Sequence, residues 1–296
     1  MSGTASMRGS ENVRNRLLVT IAVSALAPFW VLNRVWSQAA ISADFIFWAT
    51  FLLVFFFISR WDLVCFGFRY LVLVAFLFAA HRLGGWYPPV LSVAFLAVSW
   101  LLLRYPAAKA RPGMQFPLRG GVYCVVHGGS TWLVNQHRLG GVSQRYALDI
   151  VRLNRLGARA VGLYPTRLEA YRIFGDVVYS PCAGEVTAAV SELPDLAPGE
   201  LDSRKPAGNY VLIRVAGSDL DVVLAHLMQG SVTVKSGERV LAGQALARVG
   251  NSGRTTEPHL HVHVKRGGER DTPLEGIGVP VRLGGKWLVR NSLVRA

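Results

Sequence analysis

The chain has 296 residues and a formal net charge of +14, so nucleic-acid binding is the first function to test against the sequence. Its arginines are scattered and form no basic run interleaved with aromatic residues, which argues against that function. Its three cysteines, Cys65, Cys124 and Cys182, form no Cys-x-x-Cys pair, which argues against a cysteine-based zinc site.

Apolar residues dominate the first 104 positions, where four long stretches contain mainly Leu, Val, Phe, Ala and Trp. A helix needs about 20 residues to cross a bilayer core, and these stretches leave no polar face for water. We therefore predict that residues 1–104 form a membrane domain with about four hydrophobic helices in contact with lipid. The stretches are Leu17–Trp36, Ala43–Ser59, Leu63–Ala80 and Val90–Leu103.

Basic residues flanking the apolar half leave the side of the membrane open. Arg8, Arg14 and Arg16 favour a cytoplasmic amino terminus. Arg104, Lys109 and Arg111 favour a cytoplasmic position for the last boundary too. Four spans would place the following domain inside the cell, whereas three spans would place it outside.

The second half of the chain has the pattern of a soluble β protein. Residues 105–119 contain three prolines and little periodicity, which is typical of a linker. Short valine-rich runs separated by turn residues then predict a mostly β domain over residues 120–296. The segment Ser191–Gly208 is predicted to be a long loop that shapes a site. The predicted strands are Gly121–Val126, Asp176–Tyr179, Gly184–Val190, Tyr210–Val215 and Asp221–Leu224.

The segment Ser231–Gly250 alternates strand-like runs with tight turns at Gly237, Gly243 and Gly250. This pattern is typical of a flattened antiparallel β-sandwich of the duplicated-hybrid or barrel-sandwich type. The predicted fold is therefore a set of amino-terminal transmembrane α-helices followed by such a sandwich. The pattern predicts a fold and not an activity.

Three histidines alternate with apolar residues at the end of the segment Gly250–Val264. His259, His261 and His263 lie two residues apart, and alternate residues of a strand share one face. We therefore expect three imidazoles on one face and three apolar side chains in the core. Neutral imidazole is a preferred zinc ligand, although a strand face that makes only hydrogen bonds is the alternative.

Two further residues are candidates for the same site. His226 follows the apolar run Val222–Leu224, and an ordinary histidine at a strand end is the alternative. Asp149 is flanked by apolar residues on a strand that is predicted to be half-buried. A buried carboxylate needs a partner, and a cation is one solution. An ion pair with Arg145 or Arg152 is the other.

Together these features resemble a known family. Asp149, the tripeptide AHL at residues 225–227 and the sequence GNSGRTTEPHLH at residues 250–261 resemble the lysostaphin- or LytM-type zinc metallopeptidases, metallopeptidase family 23. The resemblance covers residues 180–264 well and the region around Asp149 less well.

The resemblance implies a zinc metalloendopeptidase that hydrolyses peptide cross-links of peptidoglycan, and the apolar stretches imply that it is anchored in a membrane. It implies that Asp149 and His261 bind Zn²⁺ and that His226 and His259 are the catalytic pair. We expect such a domain on the outer face of a bacterial inner or cytoplasmic membrane. A histidine phosphocarrier with a similar sandwich is disfavoured, because it needs neither Asp149 nor His263.

One position departs from the family. The first ligand of the family is a histidine four residues before the aspartate, but this chain has Arg145 there, and a guanidinium has no electron pair for zinc. Three interpretations follow. His137 replaces the missing ligand, which we favour over His127, or His263 joins His261. In the third, the zinc site is lost and the domain is a catalytically degenerate module that binds wall peptide or regulates another hydrolase.

Overall fold

The computed structural model describes residues 51, 55, 60–63, 69–74, 78, 113–132 and 134–296. The apolar stretches 17–36 and 90–103 lie outside these residues, and only parts of 43–59 and 63–80 lie within them. Within the described part of the chain, no helix is both long and apolar enough to cross a bilayer. The membrane helices therefore stay a prediction.

Among the described residues, the regular structure includes thirteen strands and three short 3-10 helices. The 3-10 helices are Trp61–Leu63, Gln136–Leu139 and Leu168–Ala170. The strands are β1 Gly113–Met114, β2 Val122–His127, β3 Leu148–Leu153, β4 Val177–Tyr179, β5 Gly184–Val190, β6 Asn209–Val215, β7 Leu220–Leu227, β8 Arg239–Val240, β9 Ala245–Arg248, β10 Leu260–Arg266, β11 Ile277–Gly278, β12 Arg282–Leu283 and β13 Leu293–Arg295.

Nine of these strands form one sheet with the order β13-β2-β3-β10-β7-β6-β5-β8, and β11 pairs with β10 beside this path. Its neighbouring strands run antiparallel. The strands β4 and β9 form a separate antiparallel pair, and β1 pairs with β12 in parallel. The described domain is therefore mostly β and mainly antiparallel, which confirms that part of the predicted fold class.

The strands predicted from valine-rich runs match β2, β4, β5, β6 and β7 to within three residues at each end. The largest difference is at β7, which continues to Leu227 because its last residues pair with Asn209 and Tyr210 of β6. The turns predicted at Gly237 and Gly243 are confirmed by backbone φ angles of 89° and 83°, which glycine adopts without strain.

Strand β10 separates a core face from a polar face. Leu260, Val262 and Val264 belong to the main hydrophobic core, and His261 and His263 alternate with them. This arrangement is the one expected from the period of two along a strand. Because β10 lies between β3 and β7, its histidines face side chains from both neighbours.

The β domain begins before residue 120. In the predicted linker, Gly113–Met114 pairs with Arg282–Leu283, and both Met114 and Leu118 are buried in the main core. Residues 113–119 therefore belong to the folded domain. The prolines of this segment interrupt any strand period, so its buried apolar residues form no recognisable pattern.

Candidate metal centre

Asp149 and His261 lie opposite each other on β3 and β10. Directly opposed residues of an antiparallel pair share one face, and here Nδ1 of His261 lies 3.0 Å from Oδ1 of Asp149. Both side chains are buried. The two residues that the resemblance assigned to zinc binding thus lie within direct contact of each other.

His137 reaches the same carboxylate from outside the sheet. It lies on the 3-10 helix Gln136–Leu139, and its Nε2 is 2.8 Å from Oδ2 of Asp149. Buried Asn135 caps this helix, accepting a hydrogen bond from the His137 backbone amide and donating to the carbonyl of Ala147 just before β3. The cap holds the loop against β3, so His137 occupies a defined position beside Asp149.

His226 lies at a β-bulge near the end of β7. Ala225 is opposite Tyr210 and Leu227 is opposite Asn209, so His226 is the extra residue of the bulge. Its φ of 62° is unusual for a residue with a side chain, and such conformations concentrate at functional sites. Nδ1 of the ring lies 2.9 Å from the backbone oxygen of Ser252, and the ring lines an open cleft.

His259 comes directly before β10 and is held by the preceding loop. Its Nδ1 lies 2.8 Å from the backbone oxygen of Glu257 and 3.1 Å from Oγ1 of Thr255. Its Nε2 lies 3.4 Å from Oδ1 of Asp149, and its ring centroid is 4.8 Å from that of His226. The two residues proposed as a catalytic pair therefore lie side by side next to the carboxylate.

Backbone carbonyls determine which nitrogen of these two rings carries a proton. A carbonyl oxygen only accepts hydrogen bonds, and a neutral imidazole has one N–H group. Nδ1–H of His226 therefore donates to Ser252, and Nδ1–H of His259 donates to Glu257. In both neutral rings the unshared electron pair lies on Nε2. Both Nε2 atoms are thus available to a proton or a cation.

Among the residues that the structure describes, two sets of three side chains have ligand atoms that lie within 4.8 Å of one another. One is His137, Asp149 and His261, and the other is His226, His259 and His261. In the first set, the two oxygens of the Asp149 carboxylate each contact a different imidazole, Oδ2 that of His137 and Oδ1 that of His261. Imidazole nitrogen and carboxylate oxygen are both common zinc ligands, so this donor set fits zinc.

Two other residues considered from the sequence lie elsewhere. Nδ1 of His263 contacts Nε2 of His261, and its Nε2 contacts the backbone oxygen of Pro273, so its ring nitrogens do not face Asp149. Arg145 is half-buried near Gly278 and does not line the cleft. Of the three interpretations of the Arg145 position, the geometry favours His137 as the replacement.

Burial and the Asp149 carboxylate set the protonation of the imidazoles. Burial lowers the pKa of His261 to about 4, although Asp149 opposes the change. Burial also lowers the pKa of His226 well below its usual range. At His259, burial again disfavours the charged form, but attraction to Asp149 outweighs it and the pKa is raised. His259 is therefore the better proton acceptor of the proposed catalytic pair.

A cleft of about 1070 Å³ opens over these side chains. The segment Ser191–Gly208 has no regular strand or helix, and it contributes Leu201, Ser203 and Pro206 to the cleft wall. The prediction that this long loop shapes a site is confirmed. His127 also lines the cleft, with its ring centroid 5.8 Å from that of His137.

A buried group of four charged side chains beside His259 was not predicted from the sequence. The guanidinium of Arg60 donates to both oxygens of Asp62, at 2.8 and 2.7 Å, and to Oε1 of Glu257 at 2.7 Å. Arg159 donates to Oε2 of Glu257 at 2.8 Å. We call Arg60, Asp62, Arg159 and Glu257 the guanidinium cluster. Of these four residues, Glu257 lies within the sequence GNSGRTTEPHLH, and this position was the sequence feature that could have pointed to the cluster.

Residues 170–273 match the family model of Peptidase family M23, which confirms the resemblance found from the motifs. The match contains His226, His259 and His261, whereas His137 and Asp149 precede it. A 54-residue segment is 46% identical to "Peptidoglycan DD-endopeptidase ShyC" of Vibrio cholerae serotype O1. This segment is 18% of the present chain and only 12% of that relative.

Solved structures to which the chain is similar include a zinc-containing peptidase from Vibrio cholerae, with 25% identity and a TM-score of 0.32. The similarity covers 52% of the present chain and 36% of that one. Another is a mutant catalytic domain of the prophage-encoded M23 protein EnpA from Enterococcus faecalis, with 20% identity and a TM-score of 0.34. It covers 56% of the present chain and 93% of the EnpA chain.

Proposed function

We propose that the β domain is a zinc-dependent endopeptidase that hydrolyses peptide cross-links of peptidoglycan. The observation that carries this proposal is the convergence of imidazole nitrogens and one buried carboxylate at the base of an open cleft. The match to family M23 and to a segment of a peptidoglycan endopeptidase supports the reaction type and the substrate class.

In this proposal His137, Asp149 and His261 hold the zinc ion. A zinc ion there supplies Lewis-acid activation of water and of the scissile carbonyl group. Nε2 of His259 accepts the proton of the attacking water and later returns it to the leaving amine. Nε2 of His226 accepts a hydrogen bond from the same water and orients it, because its Nδ1–H is held by Ser252.

The test measures zinc content and the release of peptide fragments from purified peptidoglycan, both on the full chain. We expect the wild type to bind one zinc ion and to release fragments, and His261→Ala to do neither. His127→Gln changes another buried histidine of the cleft and is the matched control, for which we expect unchanged zinc content. A wild-type chain that binds no zinc at micromolar concentration contradicts the proposal.

Arg145 supports a second candidate, a catalytically degenerate module that binds wall peptide or regulates another hydrolase. An arginine occupies the position at which the resemblance implies a histidine ligand. This candidate predicts binding to peptidoglycan without release of fragments. His137→Ala adds a second criterion, because full activity in that variant would exclude His137 as a ligand.

We also propose that residues 1–104 anchor the protein in a bacterial inner or cytoplasmic membrane, with three of the four apolar stretches as spans and the β domain on the outer face where peptidoglycan lies. The four apolar stretches and their flanking arginines support this anchoring. Protease added to intact cells tests the side: cleavage of the β domain only after disruption of the membrane would place it inside.

A further inference from the structure

The second histidine of β10, His263, is in contact with a proposed zinc ligand but is assigned no role by the proposed function. His263 is 1% exposed and lies on the same face as His261. Its Nε2 lies 2.9 Å from the backbone oxygen of Pro273, and its Nδ1 lies 2.9 Å from Nε2 of His261. A fully buried imidazole with both nitrogens engaged is a fixed element of the site.

Pro273, His263 and His261 form a row joined by hydrogen bonds, and the carbonyl oxygen of Pro273 at its end determines the proton positions along it. The carbonyl of Pro273 can only accept, so Nε2 of His263 carries a hydrogen atom. The two ring nitrogens face a carbonyl and an imidazole, and neither would compensate a buried positive charge. His263 is therefore neutral, and its Nδ1 accepts a hydrogen bond from Nε2–H of His261.

The same contact leaves Nδ1 of His261 for a cation. A zinc-binding nitrogen needs an electron pair, and an imidazole whose hydrogen atom is on Nε2 has that pair on Nδ1. Nδ1 of His261 lies 3.0 Å from Oδ1 of the Asp149 carboxylate, so both atoms can bind one divalent cation.

We propose that His263 is a positioning residue that holds His261 in the form with a free Nδ1 beside Asp149, ready to bind a divalent cation. The proposal rests on the proposed function for the identity of that cation. Hydrogen-bonded partners of metal-ligating histidines fix the ring orientation and the protonated nitrogen in this way, and their loss typically costs about 10–100-fold in metal affinity.

The segment that carries Pro273 is fixed to the rest of the domain. The hydroxyl of Ser143 donates to the backbone oxygen of Leu274, and Leu274 packs against the small buried cluster that contains Ala207 and Leu212. Pro273 itself thus has a defined position, and the row Pro273, His263, His261 extends from the loop after β10 to the carboxylate.

Leucine and asparagine at position 263 form a matched pair of variants. Both side chains are smaller than imidazole and have nearly the same shape, so both leave a similar cavity. Oδ1 of asparagine can accept the hydrogen bond from His261, whereas leucine cannot. We expect His263→Leu to weaken zinc binding by about 10–100-fold and His263→Asn to stay within a few-fold of the wild type.

Zinc affinity of the full chain, measured by competition with a chelator, tests this difference. Equal affinities of the two variants, whether near the wild type or equally weakened, would overturn the inference. A second readout uses no zinc: ¹⁵N NMR of labelled histidines locates the proton of His261. We expect it on Nε2 in the wild type and on Nδ1, toward Asp149, in His263→Leu.

The two proposals can fail separately. A wild-type chain that binds no zinc contradicts the proposed function, whereas the NMR measurement still decides the role of His263. A wild-type His261 with a proton on Nδ1 and none on Nε2 would contradict the role of His263 whatever the zinc content.

Discussion

Two buried groups of ionisable side chains lie next to each other in this domain, and they are satisfied in different ways. In the guanidinium cluster, Arg60 and Arg159 face Asp62 and Glu257, so that two positive groups match two negative groups. In the second group, which we call the imidazole cluster, His137, His259 and His261 surround the single carboxylate of Asp149.

The difference lies in the charge balance and in the electron pairs. The guanidinium cluster is neutral overall and its side chains already donate and accept charge-assisted hydrogen bonds. In the imidazole cluster one carboxylate is shared by three imidazoles, and the ring nitrogens that face Asp149 can either donate to it or bind a cation together with it. The carboxylate and the ring nitrogens are all potential zinc ligands, whereas a guanidinium has no electron pair for a metal.

Glu257 belongs to both environments. Its carboxylate accepts from Arg60 and Arg159, while its backbone oxygen accepts from Nδ1 of His259. The short segment 60–63 thereby supports the loop that holds a proposed catalytic residue, and Arg60 itself lines the cleft. The guanidinium cluster is thus a structural support for the imidazole cluster.

The largest effect is expected at the centre of the imidazole cluster. Asp149→Asn keeps the shape but removes the negative charge that both His137 and His261 contact. We expect loss of stoichiometric zinc binding and a fall in hydrolysis of more than about 100-fold. Loss of a residue that only supports a metal ligand typically costs up to about 100-fold, and a direct ligand should cost more. Metal analysis and fragment release measure both effects, and a variant with full zinc content would remove Asp149 from the ligand set.

A substitution in the guanidinium cluster should lower the free energy of unfolding of the domain. Glu257→Gln leaves two buried guanidinium groups with one carboxylate, and breaking a buried pair in this way typically costs about 3–5 kcal/mol. Chemical denaturation measures the free energy of unfolding, with exposed Glu238→Gln as the control. A change as small as that of the control would show that the cluster does not stabilise the domain.

Lowering the pH should remove the stabilisation that the ionised carboxylate of Glu257 provides. Burial opposes ionisation of Glu257, but Arg159 and Arg60 outweigh it and lower its pKa to about 2. A group whose pKa is lowered by folding stabilises the protein above its unfolded pKa, and this contribution disappears as the pH falls through the folded pKa. The difference between wild type and Glu257→Gln should therefore be full at pH 6 and shrink by about 3 kcal/mol between about pH 4.5 and 2. A constant difference across this range would contradict the ion pairing.

A double-mutant cycle should show the smallest of these effects. Arg60→Met alone leaves the buried carboxylate of Asp62 with Arg159 at 3.7 Å as its remaining salt bridge, whereas Arg60→Met with Asp62→Leu removes both charges. We expect the double variant to be more stable than the sum of the single changes predicts, by about 0.5–3 kcal/mol. Simple additivity, measured by denaturation of the full chain, would contradict direct pairing of these two residues.

The histidine face could be predicted because its information is local. The period of two along β10 separates His261 and His263 from Leu260 and Val262, and no distant contact is needed to find it. His226 and Asp149 were candidates from their flanking residues alone, but their roles came from the resemblance. His137 followed from chemistry, since Arg145 cannot bind a cation and a nearby histidine can.

Features that depend on distant contacts could not be predicted. Arg60 and Glu257 are 197 residues apart in the chain, and no sequence period connects them. The bulge at His226 arises from the register of β6 and β7, which the sequence of either strand alone does not specify. The position of β1 likewise depends on β12, which lies far along the chain, near its carboxyl end.

Anomalous X-ray scattering at the zinc absorption edge, from crystals of the full chain prepared with zinc, tests the central assignment most directly. We predict one zinc ion within about 2.2 Å of Nε2 of His137, a carboxylate oxygen of Asp149 and Nδ1 of His261. A zinc ion bound by His226, His259 and His261 without Asp149, or no zinc in the cleft, would contradict it.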